Sequence, residues 1–123
     1  MRLQDLYTPV LFTADVTATL AKVAREMERA DVSSLAVFDA DRLVGIITER
    51  DLVRAVGHGH VSNGTAIRSY VSTDLQTADV AEDSRNVARR MLDQGARHFP
   101  VLKSGELVGI VSMRDLIAVE VWR

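Results

Sequence analysis

Apolar residues recur at helical spacing in two stretches of the chain, residues 20–27 and residues 87–91. A side chain able to cap a helix N-terminus stands ahead of each stretch, Thr19 in the first and Asp83 in the second. The spacing therefore predicts two amphipathic helices, and they occupy corresponding places in the two halves of the chain.

Two short apolar runs separated by a polar turn follow each predicted helix, which is typical of a β-hairpin. These runs are residues 35–38 and 43–47 in the first half and residues 99–102 and 107–111 in the second. The spacing becomes helical again directly after the second run, from Thr48 or Ser112 onward. With a short extended piece at residues 10–13 or 74–77, each half is predicted to read strand, helix, strand, strand, helix.

The two halves are copies of one sequence, because residues 3–56 align without a gap with residues 67–120. Leu43-Val44-Gly45-Ile46 recurs as Leu107-Val108-Gly109-Ile110, and Arg50-Asp51-Leu52 recurs as Arg114-Asp115-Leu116. A long repeat that occurs twice predicts a pair with approximate two-fold symmetry rather than a solenoid. We divide the chain into repeats at 1–60 and 61–123, joined by a Gly-rich link over residues 57–64, and expect the halves to share an interface.

The strand Leu-Val-Gly-Ile that leads into x-Arg-Asp-Leu, after an apolar strand and a helix holding a Met, resembles the CBS domain, named after cystathionine β-synthase. Two ordered copies resemble a Bateman module over nearly the whole chain. The resemblance implies an α/β fold of two β-α-β-β-α units with pseudo-two-fold symmetry. It also implies a sensor that binds AMP, ADP, ATP or S-adenosylmethionine in the cleft between repeats.

The resemblance assigns candidate ligand-binding residues in both copies. The ribose-binding acid of the family falls on Asp51 and Asp115, the hydroxyl residue at the strand end on Thr48 and Ser112, the early Thr near the adenosine on Thr13 and Thr77, and the phosphate-contacting basic residues on Arg97 and His98. The first copy departs from this pattern, because Ser33 and Ser34 replace the basic pair and Ala36 stands where the second copy has Pro100. We therefore expect unequal sites, with stronger phosphate binding beside Arg97 and His98.

Physical chemistry leaves two roles open for Asp51 and Asp115. A carboxylate at a helix start can accept hydrogen bonds from a ribose, while the free N–H groups there favour an anion. The spacing Thr48-x-x-Asp51 also fits a capping box. Arg50 and Arg114 oppose the helix dipole, a conflict that a bound anion would remove, so both are candidate ligand contacts. Gly45 and Gly109, inside strands, indicate close approach of either another backbone or a ligand.

Composition narrows the function. The formal net charge of -2, from 15 basic and 17 acidic residues that are interspersed, argues against nucleic-acid binding. The absence of Cys excludes thiolate sites and disulfides. No catalytic triad or phosphate loop is present, so we expect no enzyme activity, and no run approaches the ~20 apolar residues of a membrane span. His58-x-His60 fits an exposed link better than a metal site, since no third ligand is evident.

The sequence thus predicts a stand-alone cytoplasmic regulatory protein with an adenosyl ligand, no required cofactor and no metal. We expect a homodimer that uses the apolar faces of the helices after Thr48 and Ser112, and a downstream protein partner that reads the bound state. The alternative is an interaction and dimerisation module with degenerate, unoccupied pockets.

Overall fold

The computed structural model describes residues 1–9, 12–60, 64–73 and 76–121. The chain folds as two compact units. The Asp51 unit consists of Leu11–Leu75, and the Asp115 unit consists of Met1–Val10 and Gln76–Arg123. Each unit thus contains the opening segment of the other sequence repeat. The division of the sequence at 1–60 and 61–123 stays a prediction about the repeats, and it is not the boundary between the spatial units.

Apart from β1 (Thr8–Pro9), which has no counterpart strand among the described residues of the second copy, the elements follow one another in the same order in both copies. Along the chain they are a 3-10 turn Leu3–Asp5, β1 Thr8–Pro9, β2 Thr13–Asp15, α1 Leu20–Ala30, β3 Ser34–Asp39, β4 Arg42–Thr48, α2 Glu49–Gly57, a 3-10 turn Ile67–Ser69, β5 Ala78–Asp79, α3 Ser84–Gln94, β6 His98–Lys103, β7 Glu106–Ser112 and α4 Met113–Val121. The predicted α/β class and the β-α-β-β-α order of each copy are confirmed.

The Asp51 unit is built on a three-stranded sheet in the order β2-β3-β4. β2 is parallel to β3, and α1 forms the crossover that a parallel pair requires, whereas β3 and β4 form an antiparallel hairpin. The helix buries Leu20, Val23 and Met27, three of the four positions that the apolar spacing selects, whereas the fourth, Ala24, is exposed. Two backbone hydrogen bonds between Ile46 and Ser72 add the segment after the second 3-10 turn to the edge of β4.

The Asp115 unit repeats this arrangement in a four-stranded sheet of order β1-β7-β6-β5. Its core contains Leu3, Val87, Met91 and Phe99, all at most 1% exposed. Leu3 comes from the N-terminal segment, and that segment also supplies β1 to the edge of β7. The N-terminal residues are therefore part of the core of this unit.

The strands that open each copy lie later in the sequence than predicted. The extended piece expected at residues 10–13 coincides with β2 only at Thr13, and the one expected at residues 74–77 ends just before β5. Residues 10, 11, 74 and 75 lie outside the described residues. The position of these strands is set by parallel pairing with β3 and β6, a long-range contact that local pattern does not contain. The predicted link begins later than expected, because α2 extends to Gly57, and residues 61–63 are likewise not described.

Helix ends and glycines follow local chemistry. Thr19 and Asp83 cap α1 and α3 through their side chains, as predicted. A Cβ atom on Gly45 would collide with the carbonyl oxygen of Ser72 and lie 2.5 Å from Cγ1 of Val71. Close approach of another backbone therefore accounts for this glycine.

Within the described ranges, no helix combines the length and apolar character needed to cross a bilayer.

Candidate functional site

One end of the sheet in the Asp51 unit collects the candidate residues of the first copy. β3 begins at Ser34, which is paired with Thr48 at the end of β4, and β2 begins at Thr13, which is paired with Ala36. Because β2 and β3 are parallel and β4 is antiparallel to them, these positions share one end of the sheet. α2 begins directly after Thr48, so Asp51 lies at this end as well.

Asp51 forms the capping box that the spacing predicts. Its Oδ2 accepts hydrogen bonds from the backbone N–H of Thr48 at 2.9 Å and from the Thr48 hydroxyl at 3.1 Å. The Asp51 N–H in turn donates to the Thr48 hydroxyl oxygen. The other carboxylate oxygen, Oδ1, accepts a hydrogen bond from Nη1 of Arg54 at 3.1 Å. The Asp51 side chain is only 12% exposed, and both of its carboxylate oxygens accept hydrogen bonds.

The corresponding end of the sheet in the Asp115 unit brings its candidates together in the same way. His98 is paired with Ser112, and the N–H of Met113 donates to the carbonyl oxygen of Arg97 at 2.8 Å. The basic pair thus lies beside the start of α4. Arg97 is exposed and His98 is half-buried.

Asp115 also forms a capping box, but with fewer partners. Its Oδ2 accepts the N–H of Ser112 at 2.8 Å, and its own N–H donates to the Ser112 hydroxyl oxygen at 3.1 Å. No hydrogen bond to its Oδ1 is found among the residues that the structure describes. The capping role predicted as one alternative is therefore present in both copies, and among the described residues a carboxylate oxygen without a hydrogen bond is left at Asp115 but not at Asp51.

Arg50 and Arg114 each occupy the second position of their helices, and both are exposed. Each arginine therefore lies in the first turn of its helix, where a cation opposes the helix dipole unless an anion binds. This position agrees with the contact predicted from the sequence, which stays a prediction.

Thr77 is held by a residue that the sequence did not single out. Nη1 of Arg90 donates to the carbonyl oxygen of Thr77 at 3.0 Å, and Nη2 contacts both carboxylate oxygens of Glu82 at 2.8 and 2.9 Å. The guanidinium lies over the ring of Phe99. In the first copy the positions of Arg90 and Glu82 hold Glu26 and Ala18. A comparison of the charges at matching positions of the two copies could therefore have identified Arg90 from the sequence.

His58 and His60 are engaged with Tyr70 rather than free in a link. Nδ1 of His58 lies 3.1 Å and Nδ1 of His60 lies 2.6 Å from the Tyr70 hydroxyl oxygen. Both residues are exposed, as predicted for the link, and their rings contact the hydroxyl of Tyr70, whose ring belongs to the core of this unit. Within the described part of the chain, no three His, Cys, Asp or Glu side chains are grouped so as to hold a metal ion.

Similarity to known proteins covers almost the whole chain. The model of the CBS domain family matches residues 3–58 and 67–121. The chain is 34% identical over 117 residues to a 17.7 kDa protein from the bps2 3′ region of Acidianus ambivalens, covering 94% of this chain and 70% of that one. It is 31% identical over 113 residues to protein MK0525 of Methanopyrus kandleri, covering 89% of this chain and 58% of that protein.

The fold is also that of a known CBS pair. The CBS domain pair of protein MJ0100, crystallised in complex with 5′-methylthioadenosine and S-adenosyl-L-methionine, has a TM-score of 0.89 at 22% identity, covering 99% of this chain and 97% of that one. At this identity the likeness concerns the fold alone. Together with the two family matches and the repeated units, it establishes that this chain belongs to the CBS domain family and carries its two domains as a pair, a Bateman module.

Proposed function

We propose that this protein is a regulatory module that binds an adenosine-containing ligand, such as AMP, ADP, ATP or S-adenosylmethionine, and that it is not an enzyme. The observation that carries the proposal is the carboxylate of Asp115. It stands at a helix start and, among the described residues, has no hydrogen bond to its Oδ1, while the first residue of the same helix is bonded to the backbone of the exposed Arg97. The complex of the MJ0100 pair with two adenosyl compounds supports this class of ligand.

The chemistry of this sheet end suits a nucleoside with an anionic group. The two hydroxyls of a ribose can donate to the carboxylate of Asp115, since a charged acceptor forms the stronger hydrogen bonds. Arg97, His98 and Arg114 can contact a phosphate or carboxylate. Ser112 and Thr77 would line the same end of the sheet beside the nucleoside. No cofactor is required for such binding.

The first copy offers a weaker version of the same arrangement. Thr13, Thr48, Arg50 and Asp51 occupy matching places, but serines replace the basic pair. Fewer cations near the helix start mean weaker attraction for a phosphate. We therefore place the main binding site at Asp115.

Binding would act by favouring one conformation of the module over another, and a protein partner would read the change. We further propose a homodimer formed through the faces of α2 and α4 that carry exposed apolar side chains. Val53 and Val56 on α2 are 70% and 61% exposed, and Ile117 on α4 is 54% exposed. Exposed apolar groups of this kind favour association. These same side chains support the second candidate function, an interaction module whose pockets stay empty.

Calorimetric titration with AMP, ATP and S-adenosylmethionine tests the proposal. We expect at least one of the three to bind with a dissociation constant below millimolar. Asp115→Asn, which keeps the shape of the side chain, should weaken that binding at least tenfold, and the matched change Asp51→Asn should weaken it less. A folded protein that binds none of the three, and whose melting temperature none of them raises, would favour the interaction module.

A further inference from the structure

The two capping carboxylates differ in what is left for a ligand. At Asp51, the cap occupies Oδ2 and Nη1 of Arg54 occupies Oδ1. At Asp115, Ser112 occupies Oδ2 and, in the described part of the chain, no hydrogen bond or ion pair to Oδ1 is found. The sequence position that corresponds to Arg54 in the second copy is Ala118, which has no side chain able to reach the carboxylate. One side chain therefore accounts for the difference.

Arg54 is held in place from its other side. Its Cζ lies 5.8 Å from the centre of the Tyr70 ring, within the range of a cation–π contact. Tyr70 is 6% exposed, and its hydroxyl oxygen contacts both His58 and His60, so the ring is fixed. In the Asp115 unit the position that corresponds to Tyr70 holds Leu6, which offers the weaker attraction of an aliphatic group. We call Arg54, Tyr70, His58 and His60 the Arg54 latch.

We propose that the Arg54 latch closes the first site, so that each chain takes up its adenosyl ligand at Asp115 and not at Asp51. A ribose needs the carboxylate oxygen that the guanidinium holds, and it would have to displace a charge-assisted hydrogen bond to reach it. The guanidinium also neutralises the charge that would attract the sugar hydroxyls. This inference rests on the proposed function and adds to it a residue that determines which site is filled.

The test is made in the full chain with Asp115→Asn, which removes the main site. AMP, ATP and S-adenosylmethionine are titrated into this variant and into the double variant Arg54→Met with Asp115→Asn. We expect the double variant to bind at least one of these probes at least fivefold more tightly than Asp115→Asn alone. A third change, Asp51→Asn, should abolish that gain. The matched control combines Asp115→Asn with Arg25→Met, which removes the same charge at an exposed position of α1. This control should bind the probes no more tightly than Asp115→Asn alone.

The reverse substitution gives an independent measurement. Ala118→Arg places a guanidinium one turn after Asp115 and should weaken binding to the otherwise unchanged protein at least fivefold, whereas Ala118→Met should not. Binding that Arg54→Met fails to improve, or makes weaker because Arg54 itself contacts the ligand, overturns the inference. If the unchanged chain binds none of the probes, the proposed function is overturned. Binding that then appears in Arg54→Met would still show that the guanidinium closes the first site, whereas no binding in either protein would overturn this inference as well.

Discussion

Replacing Gly45 with alanine should destabilise the Asp51 unit, although alanine is the better residue in most strands. The added Cβ would meet the carbonyl oxygen of Ser72 and lie 3.0 Å from its carbonyl carbon. Relief requires Ser72 to move away from β4, which breaks its two backbone hydrogen bonds with Ile46, at 3.2 and 3.0 Å. At about 1 kcal/mol for each bond, and with overpacking strain of the order of 1 kcal/mol, the loss should be about 2–3 kcal/mol.

Urea unfolding followed by circular dichroism measures this effect as a lower midpoint with an unchanged slope. Gly57→Ala is the matched control, because Gly57 lies in α2 and a Cβ there meets nothing within 4 Å. That substitution should raise stability by about 0.5–1 kcal/mol, since alanine favours the helix. If Gly45→Ala is as stable as the unchanged protein, the close approach of Ser72 does not explain this glycine.

Two further predictions concern the ends of α1 and α3 and the carboxylate of Asp15. Asp31 ends α1 with φ 54°, in the left-handed region, and the matching residue of α3 is Gly95. Because glycine adopts this conformation without steric cost, Asp31→Gly should raise the free energy of unfolding by about 0.5–1 kcal/mol. Gly95→Ala should lower it by a similar amount. Hydrogen bonds from the hydroxyl and the N–H of Thr17 lower the pKa of Asp15 below its usual value. The stabilisation of the fold by these bonds is therefore present above the unfolded-state pKa and is lost as pH falls through the folded-state pKa. Thr17→Val should make the urea midpoint less sensitive to acidification, and an unchanged difference between neutral and acidic pH would contradict this.

The parts of the fold that depend on local pattern could be predicted from the sequence. The caps at Thr19 and Asp83, the hairpins and the capping box at Thr48 all rest on residues close together in the chain. The two-residue strands β1 and β5 could not be predicted, because only their pairing with β7 and β6 defines them. The sequence also could not predict that the opening segment of each repeat belongs to the spatial unit of the other repeat, because this depends on tertiary contacts.

Within the site, the sequence identified the carboxylates but not what surrounds them. The contact of Arg54 with Asp51 is local, three residues along α2, and could have been proposed from helical spacing. The ring that holds Arg54 comes from Tyr70, on a segment that joins this unit from beyond the link, and no spacing rule connects the two. The same holds for Arg90, whose partner Thr77 lies 13 residues earlier.

Comparison of the two copies distinguishes residues that stabilise the helices from residues that affect what the carboxylates can bind. Asp51 and Asp115 match because each stabilises the start of a helix, and this role is visible without a ligand. The differences at Arg54 and Ala118 lie beside those carboxylates, where a change leaves the helix cap intact but alters what the carboxylate can bind. A duplicated cap can therefore keep both helices in place while, in the part of the chain that the structure describes, one copy retains a carboxylate oxygen without a hydrogen bond. Freeing the corresponding oxygen at Asp51 should require the loss of a single guanidinium.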